Sequence, residues 1–584
     1  MAKPSLTKPA SRDSDTLALL GKKQVLKRRF GFWSVLGFAV CELITWETVL
    51  AIFTQGFSNG GPAGLVYGFI IAWSSTLSVY TVISELASLA PIAGGQYYWV
   101  YMLAPPRWKV FSSYIVGWLT SLAWIATVAT ETIFAGTILQ GLIILDHEDS
   151  YVPKNWHGTL MAWLVVAVAI LVNAVTPGAL PKVTVFIIVF HIAGFIAIVS
   201  VLWVFATPKN TAHFVFTTSL NEGGWSTQGL SYCVGFLGNV ATFVGADASV
   251  HMAEEVDNAA RNIPRAIVTS MCINGTVGFV MMITALYCLG DVDKVLNTPT
   301  GYPFLQIFYG ATNSRAGAAA MGAVVLSLTW ACATGIITTA SRMTWSFARD
   351  RGTPFSSTLS MVSQKKRIPV VALLASTGFA CLLTLIYVGS DAAFNDVISL
   401  TITGFYSSYF LPAAFLLYRR VKGNIAPHRG ADEDVLEAQA PIIDEGSDRQ
   451  AAMEDSTSDK KVTNSDSPDL GPLAGPSTEH QPRRKSSVAN TQLVWGPFHL
   501  PGWIGIINNA YACVYMIFVI FWSVWPAQAD TNYQNMNYSV VVTGGVIIFS
   551  IVWYFVKGRK EYDGPTVDEE VEAVMRKGSV VAER

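Results

Sequence analysis

Apolar runs of about 20 residues recur along the chain from Phe30 onward, each divided from the next by a short polar or glycine-rich interval. A helix of roughly 20 residues crosses a hydrocarbon core of about 30 Å with every backbone polar group satisfied internally. The pattern predicts twelve such helices, near residues 30–54, 63–90, 110–142, 158–177, 181–206, 228–252, 265–289, 316–347, 369–389, 393–418, 503–526 and 537–556. The narrowest division is T-P-G-A-L-P, between spans 4 and 5. Lys and Arg gather in the N-terminal tail, at Arg107/Lys109, Lys182, Arg261/Arg265, Arg342 to Arg367, Arg419/Arg420 and Lys557 to Lys560. These are the even-numbered loops and both tails, so twelve spans with both termini in the cytosol satisfy the positive-inside rule.

Composition agrees with the pattern. Hydrophobic residues make up 52% of the 584 and charged ones 14%, against roughly 25% charged in a soluble domain. The formal net charge of −1 gives no basic balance for nucleic acid. Seven cysteines all lie in apolar stretches and none forms a C-x-x-C pair, so neither a disulfide framework nor a metal site is indicated. Residues 1–29 read as a cytosolic tail, 30–206 as a first set of five spans, and 228–420 as a second. Residues 424–492, rich in Asp, Glu, Ser, Pro and Gly, read as a disordered cytosolic loop. Residues 503–556 hold the last two spans, and 557–584 form a second cytosolic tail. The loop ends in R-R-K-S-S, where Ser486 or Ser487 suits a basophilic kinase, although an unregulated linker would look the same.

The informative anomalies are ionisable groups inside apolar spans, each costing roughly 2.5–3.5 kcal/mol at a helix centre. Glu42 and Glu47 share span 1 with Trp46 between them; Glu85 lies in span 2, Glu131 in span 3, His191 in span 5 and Asp247 in span 6. Buried acids of this kind neutralise a cationic solute, carry a coupling proton, or bond to backbone freed by a helix break. His191 is either a proton relay or a hydrogen-bonded packing residue. Gly235, Gly238 and Gly245, with Asn239 and Asp247, mark span 6 for a break or for close helix packing. In A-E-E-V-D-N-A-A-R-N-I-P-R, Asn262 is placed to cap span 7 with Pro264 in its first turn. There Glu254 and Glu255 are placed to pair with Arg261 and Arg265.

Three stretches carry a family resemblance: S-E-L-A-S-L-A-P-I-A-G-G-Q-Y-Y-W (84–99), G-A-D-A-S-V-H-M-A-E-E-V-D-N-A-A-R-N-I-P-R-A-I (245–267) and S-F-A-R-D-R-G-T-P (346–354). In order and in register, they resemble signatures of the amino acid–polyamine–organocation (APC) superfamily. The whole looks most like its fungal amino acid/choline transporter group, which includes GABA and choline permeases. The resemblance implies an all-α membrane protein with a LeuT-like 5+5 inverted repeat and two trailing helices. It also implies a substrate site at the breaks of spans 1 and 6, formed by Thr45, Trp46, Glu47, Phe243, Val244, Gly245 and Asp247. Glu42, Glu131 and His191 would serve coupling, and Glu85, Glu254 and Arg261 the cytosolic gate. Many relatives bind a substrate carboxylate on glycine-rich backbone in span 1, whereas this chain has C-E-L-I-T-W-E-T there. The departure favours a ligand recognised by its cation, with Trp46 offering a cation–π face.

No nucleophile elbow, H-E-x-x-H pair or P-loop is present. The expected function is secondary transport with no cofactor: import of choline, GABA or an amino acid, coupled to H+, across the plasma membrane. The expected partners are that solute, the proton and the lipid bilayer. A nutrient sensor signalling through the 424–492 loop is the alternative.

Overall fold

The computed structural model of the protein describes residues 12–389, 392–428, 493–533 and 535–567. Among them, eleven helices are long and apolar enough to cross a membrane. The predicted sixth span is the twelfth, and it is interrupted. Span 1 consists of Phe32–Leu43 (1a) and Thr45–Ala51 (1b), and span 6 of Gln228–Ala241 (6a) and Ala248–His251 (6b). Span 2 is Gly61–Leu89, span 3 Lys109–Asp146, span 4 Asn155–Val175, span 5 Leu180–Phe205 and span 7 Ala259–Tyr287. Span 8 is Arg315–Arg349, span 9 Val370–Gly389, span 10 Ala392–Val421, span 11 Gly502–Trp522 and span 12 Ser539–Glu561.

Local chemistry sets several starts. The Thr227 hydroxyl accepts from Leu230 N–H at 3.2 Å to open span 6a, and Ser314 does the same from Gly317 N–H at 3.1 Å for span 8. Prolines stand in the first turn of spans 2 and 5, where a missing N–H costs nothing. Span 7 departs from expectation. Its cap position is Asn258, in left-handed geometry, and its helix begins at Ala259. Asn262 therefore does not cap it but donates its side-chain amide to Asp257 O at 2.6 Å, and Pro264 sits inside the helix rather than in its first turn.

The packing has an internal symmetry in which several helix contacts of the first five spans recur five spans later. Span 1 packs on span 7 as span 6 packs on span 2, span 3 on span 10 as span 8 on span 5, and span 4 on span 3 as span 9 on span 8. Spans 2 and 7, and spans 3 and 8, are each other's counterparts and pack directly together. Because five is odd, the second set crosses the membrane in the opposite sense, which is the two-repeat architecture of discontinuous-helix transporters. The first helix of each set is the broken one.

The ends of the 424–492 segment come together. Ile425–Ala426 pairs in parallel with Leu493–Val494, and Trp495 N–H reaches Ala426 O at 3.0 Å. Residues 429–492, and with them Ser486 and Ser487, lie outside the described residues.

Candidate functional site

The two breaks face each other in the middle of the bundle. Span 1 turns at Ile44, whose φ of 29° is unusual for a β-branched residue. Across from it, span 6 unwinds from Thr242 to Asp247, with Gly245 at φ 117°. A side chain at 245 would stand 2.7 Å from Glu42 O, so glycine is required there both for its backbone angle and for the close approach. Gly235 and Gly238 have a different role. They lie within helix 6a against Asn59 and Gly56 and bring it close to the segment that follows span 1b. Of the two readings of the span-6 glycines, packing holds for these two and breakage for Gly245.

Side chains from neighbouring spans satisfy the backbone freed at the breaks. Asn274 of span 7 accepts from Thr45 N–H at 3.2 Å and donates to Val40 O at 3.4 Å, stitching 1a to 1b. The Thr45 hydroxyl donates to Thr242 O at 3.0 Å, tying one break to the other. The Tyr80 hydroxyl accepts from Gly245 N–H and Ala246 N–H at 3.1 and 3.3 Å. Phe243 is buried with its ring 4.9 Å from that of Phe69, and Val244 is half-buried.

Around these breaks lie the acids. Glu42 is 2% exposed, and neither of its carboxylate oxygens has a hydrogen-bond partner among the described residues. Its carboxyl group occupies a notch left by Gly335 of span 8, where a methyl group would overlap it. Glu47 points elsewhere, to His191 of span 5, with Oε1 and Nδ1 2.8 Å apart. Trp46 is fully buried against the same span, its ring 5.8 Å from His191 and 6.4 Å from Phe195. Glu131 is half-buried, and it lies close enough to Glu42 and Glu47 for their charges to interact. Asp247 also lies close enough to Glu42 for their charges to interact, but it is fully engaged. It accepts from Tyr409 O–H at 2.5 Å and Gln96 N–H at 2.8 Å, with His251 3.7 Å away.

Toward the face on which the described parts of both tails pack, the three signature stretches converge. Gln96 and Tyr97 come from the first, Asp247, Glu254 and Glu255 from the second, and Ser346, Arg349 and Asp350 from the third. Tyr97 O–H donates to Asp350 at 2.8 Å. Arg349 clasps Glu254 with two contacts, at 2.6 and 3.1 Å, and Arg342 meets Glu255 at 2.9 Å. These replace the expected pairing with Arg261, which is exposed. The 3-10 turn Ala253–Glu255 aims its carboxylates across at span 8 rather than forward along the chain. Glu85 pairs with Arg420 at 2.7 Å and accepts from Leu500 N–H at 2.6 Å, joining spans 2, 10 and the approach to span 11. Lys22 of the N-terminal tail binds Asp350.

Residue-level reading of the sequence missed Asn274, Tyr80, Tyr409, Gln96 and the Lys22–Asp350 pair. A polar residue in an apolar run was the available signal for Asn274. Gln96 and Asp350 stood inside the quoted stretches.

Comparison with known proteins places this architecture. The family model described as amino acid permease matches residues 30–434 of the 584. The choline transporter of Saccharomyces cerevisiae is 28% identical over 549 residues, covering 94% of this chain and 84% of that protein. The GABA-specific permease of the same yeast is 26% identical, over 96% and 88% respectively. A crystal structure of the Eremococcus coleocola manganese transporter aligns over 96% of this chain and 98% of its own, at 12% identity and a TM-score of 0.47. The family match spans both five-helix sets and both breaks: the chain belongs to the amino acid permease family and is a multi-pass membrane transporter.

Proposed function

We propose that this transporter imports a small nitrogenous cation or zwitterion, such as choline, GABA or another amino acid, by proton-coupled alternating access. The names of its relatives support that solute class. The observation that carries the reading is Glu42: a buried carboxyl group with both oxygens unpartnered by protein, at the junction of spans 1, 6 and 8. An isolated carboxylate is costly to bury, and a solute ammonium group compensates it. The ligand's cation therefore meets Glu42, beside the two helix breaks. Asp247 is already occupied by Tyr409 and Gln96, and Glu47 by His191. This exchanges the roles first assigned to Glu42 and Glu47. The Glu47–His191 pair carries the proton, since a carboxylate and an imidazole in contact share one readily. Alternating access rocks spans 1, 2, 6 and 7 against the others, opening the junction to each face in turn. The excess of Lys and Arg in the tails and even-numbered loops supports a cytosolic position for both tails, and the membrane we assign is the plasma membrane.

The test is uptake of labelled choline, GABA and an amino acid panel at acidic and neutral pH, in permease-deficient yeast expressing the chain. One class should show saturable, acid-stimulated uptake. Glu42→Gln should lower it by about tenfold or more at unchanged surface protein, as when one partner of a buried charge pair is removed. His191→Gln should abolish the acid stimulation. Undiminished uptake by Glu42→Gln would remove that residue from the site.

A further inference from the structure

The two tails of the chain meet at one carboxylate. Asp350, at the end of span 8, binds Lys22 Nζ from the N-terminal tail and accepts from Thr566 N–H and Thr566 O–H of the C-terminal tail, both at 3.0 Å. Lys22 Nζ also lies 3.3 Å from Thr566 Oγ1, and the side chains of Lys22 and Asp350 are completely enclosed.

Both tails are fastened on either side of this point. Tyr562 is buried, with its hydroxyl 2.6 Å from Ser113 Oγ, and Gly564 lies against the Tyr101 ring. In the N-terminal tail Tyr98 O–H donates to Leu20 O at 2.9 Å, and Gln24 donates to Glu254 O at 2.7 Å. Arg29 N–H and Phe30 N–H reach Glu255 O at 2.8 and 3.0 Å, and Asp257 N–H returns to Phe30 O at 2.9 Å. The N-terminal tail is thereby strapped across the loop after span 6b and the end of span 8, which are joined by the Glu254–Arg349 and Glu255–Arg342 pairs. The Thr566 hydroxyl is the last link in the strap. It is half-buried, and in sequence it is followed by V-D-E-E, placing acids at the second, third and fourth positions after it.

We propose that Thr566 is a phosphoacceptor site for an acidophilic kinase, and that phosphate there unfastens the tail strap. The inference rests on the cytosolic position of the tails proposed above. In the modification, Thr566 Oγ forms a bond to the γ-phosphorus of ATP, the bond from that phosphorus to the β–γ bridging oxygen breaks, ADP leaves, and the hydroxyl proton passes to the kinase base. The half-buried hydroxyl that donates to Asp350 is replaced by a group carrying a charge of roughly −2 at neutral pH. Asp350 and the phosphate then compete for the Lys22 ammonium, and the two anions repel each other. Either the C-terminal tail departs, which uncovers the Lys22–Asp350 pair to water and weakens it, or it takes Lys22 with it, which releases Asp350 from the N-terminal tail. Because Thr566 must leave its pocket to enter a kinase, phosphorylation captures the transiently undocked tail and holds it there.

The experiment treats the full-length protein in lipid nanodiscs with an acidophilic Ser/Thr kinase and Mg-ATP. Mass spectrometry then maps the phosphate, and amide hydrogen exchange is followed at Arg29, Phe30 and Asp257. We expect phosphate on Thr566 and at least about tenfold faster exchange at those three amides, reproduced without kinase by Thr566→Glu. Thr566→Val treated with kinase should keep the slow exchange. Lys22→Ala should speed exchange with or without kinase. An unmodified Thr566, or slow exchange in Thr566→Glu, would overturn the proposal, and so would a tail epitope accessible on intact cells. Only that last result would also overturn the topological reading, and none of these measurements depends on finding the solute.

Discussion

Two sets of buried acids lie within the same bundle, and the protein treats them in opposite ways. Toward the tail-bearing face, Glu85, Glu254, Glu255 and Asp350 each meet a full cation, from Arg420, Arg349, Arg342 and Lys22. At the junction of the broken helices, Glu42 meets no hydrogen-bond partner among the described residues and Glu47 meets a histidine. The first set is closed electrostatically and holds segments together; the second is where we propose that the solute and the proton bind. A carboxylate completed by a neighbouring arginine is evidence of architecture, while one left incomplete at a helix break is where a transported ion or proton has a place to bind.

This contrast can be broken at several points. The largest effect belongs to Arg342→Ala, which strands Glu255 in a site where both side chains are 4% exposed. Removing one member of such a pair costs about 3–5 kcal/mol, so the variant should lose most surface-expressed protein and melt markedly earlier in detergent. The double variant Arg342→Met/Glu255→Leu should recover much of that stability. His191→Ala comes next: it removes the hydrogen bond to Glu47, a loss of about 1.5–3 kcal/mol for a bond to a charged group. Its melting temperature should fall less than that of Arg342→Ala, while uptake should fall further. Gly245→Ala must adopt a φ of 117° and meet Glu42 O, at about 1–3 kcal/mol of strain; it should transport poorly while still reaching the surface. The smallest effect is expected from Arg261→Ala. That side chain is exposed, and stability should stay within about 0.5 kcal/mol of the parent, with uptake unchanged. A strong defect there would restore the charge pairing that the turn at 253–255 excludes.

Much of the fold was legible because hydrophobic periodicity reports on length and spacing, and those suffice to count spans. All twelve appear where the apolar runs stand, including the short division between spans 4 and 5, which is the loop 176–179. Gly245 was legible as a candidate break because glycine, asparagine and aspartate coincided in one apolar run. Ile44 was not, since nothing in C-E-L-I-T-W-E-T interrupts a helix by propensity; there the resemblance supplied the break. Partnership was the least legible property. Glu47 and His191 are 144 positions apart, Thr45 and Asn274 229, and Lys22 and Asp350 328. Periodicity places a residue on a helix face but does not identify the helix opposite. Charge proximity in sequence was misleading for the same reason, pairing Glu254 with Arg261 when the fold had brought Arg349 closer.

The short parallel pairing of Ile425–Ala426 with Leu493–Val494 also matters for how such a chain can change over time. The polypeptide leaves the bundle and re-enters it at a single point, next to Trp495 and the Glu85–Arg420 contact. Because the two strands are joined there, the length of the branch of sequence between them does not set the distance between spans 10 and 11. Sequence can be gained, lost or replaced by a whole folded module there without altering the distance between the two spans, and each doubling of the branch adds only about 0.6 kcal/mol to the entropy of closing it. The joint is a graft site, at which new appendages can be acquired by a transport unit that stays the same.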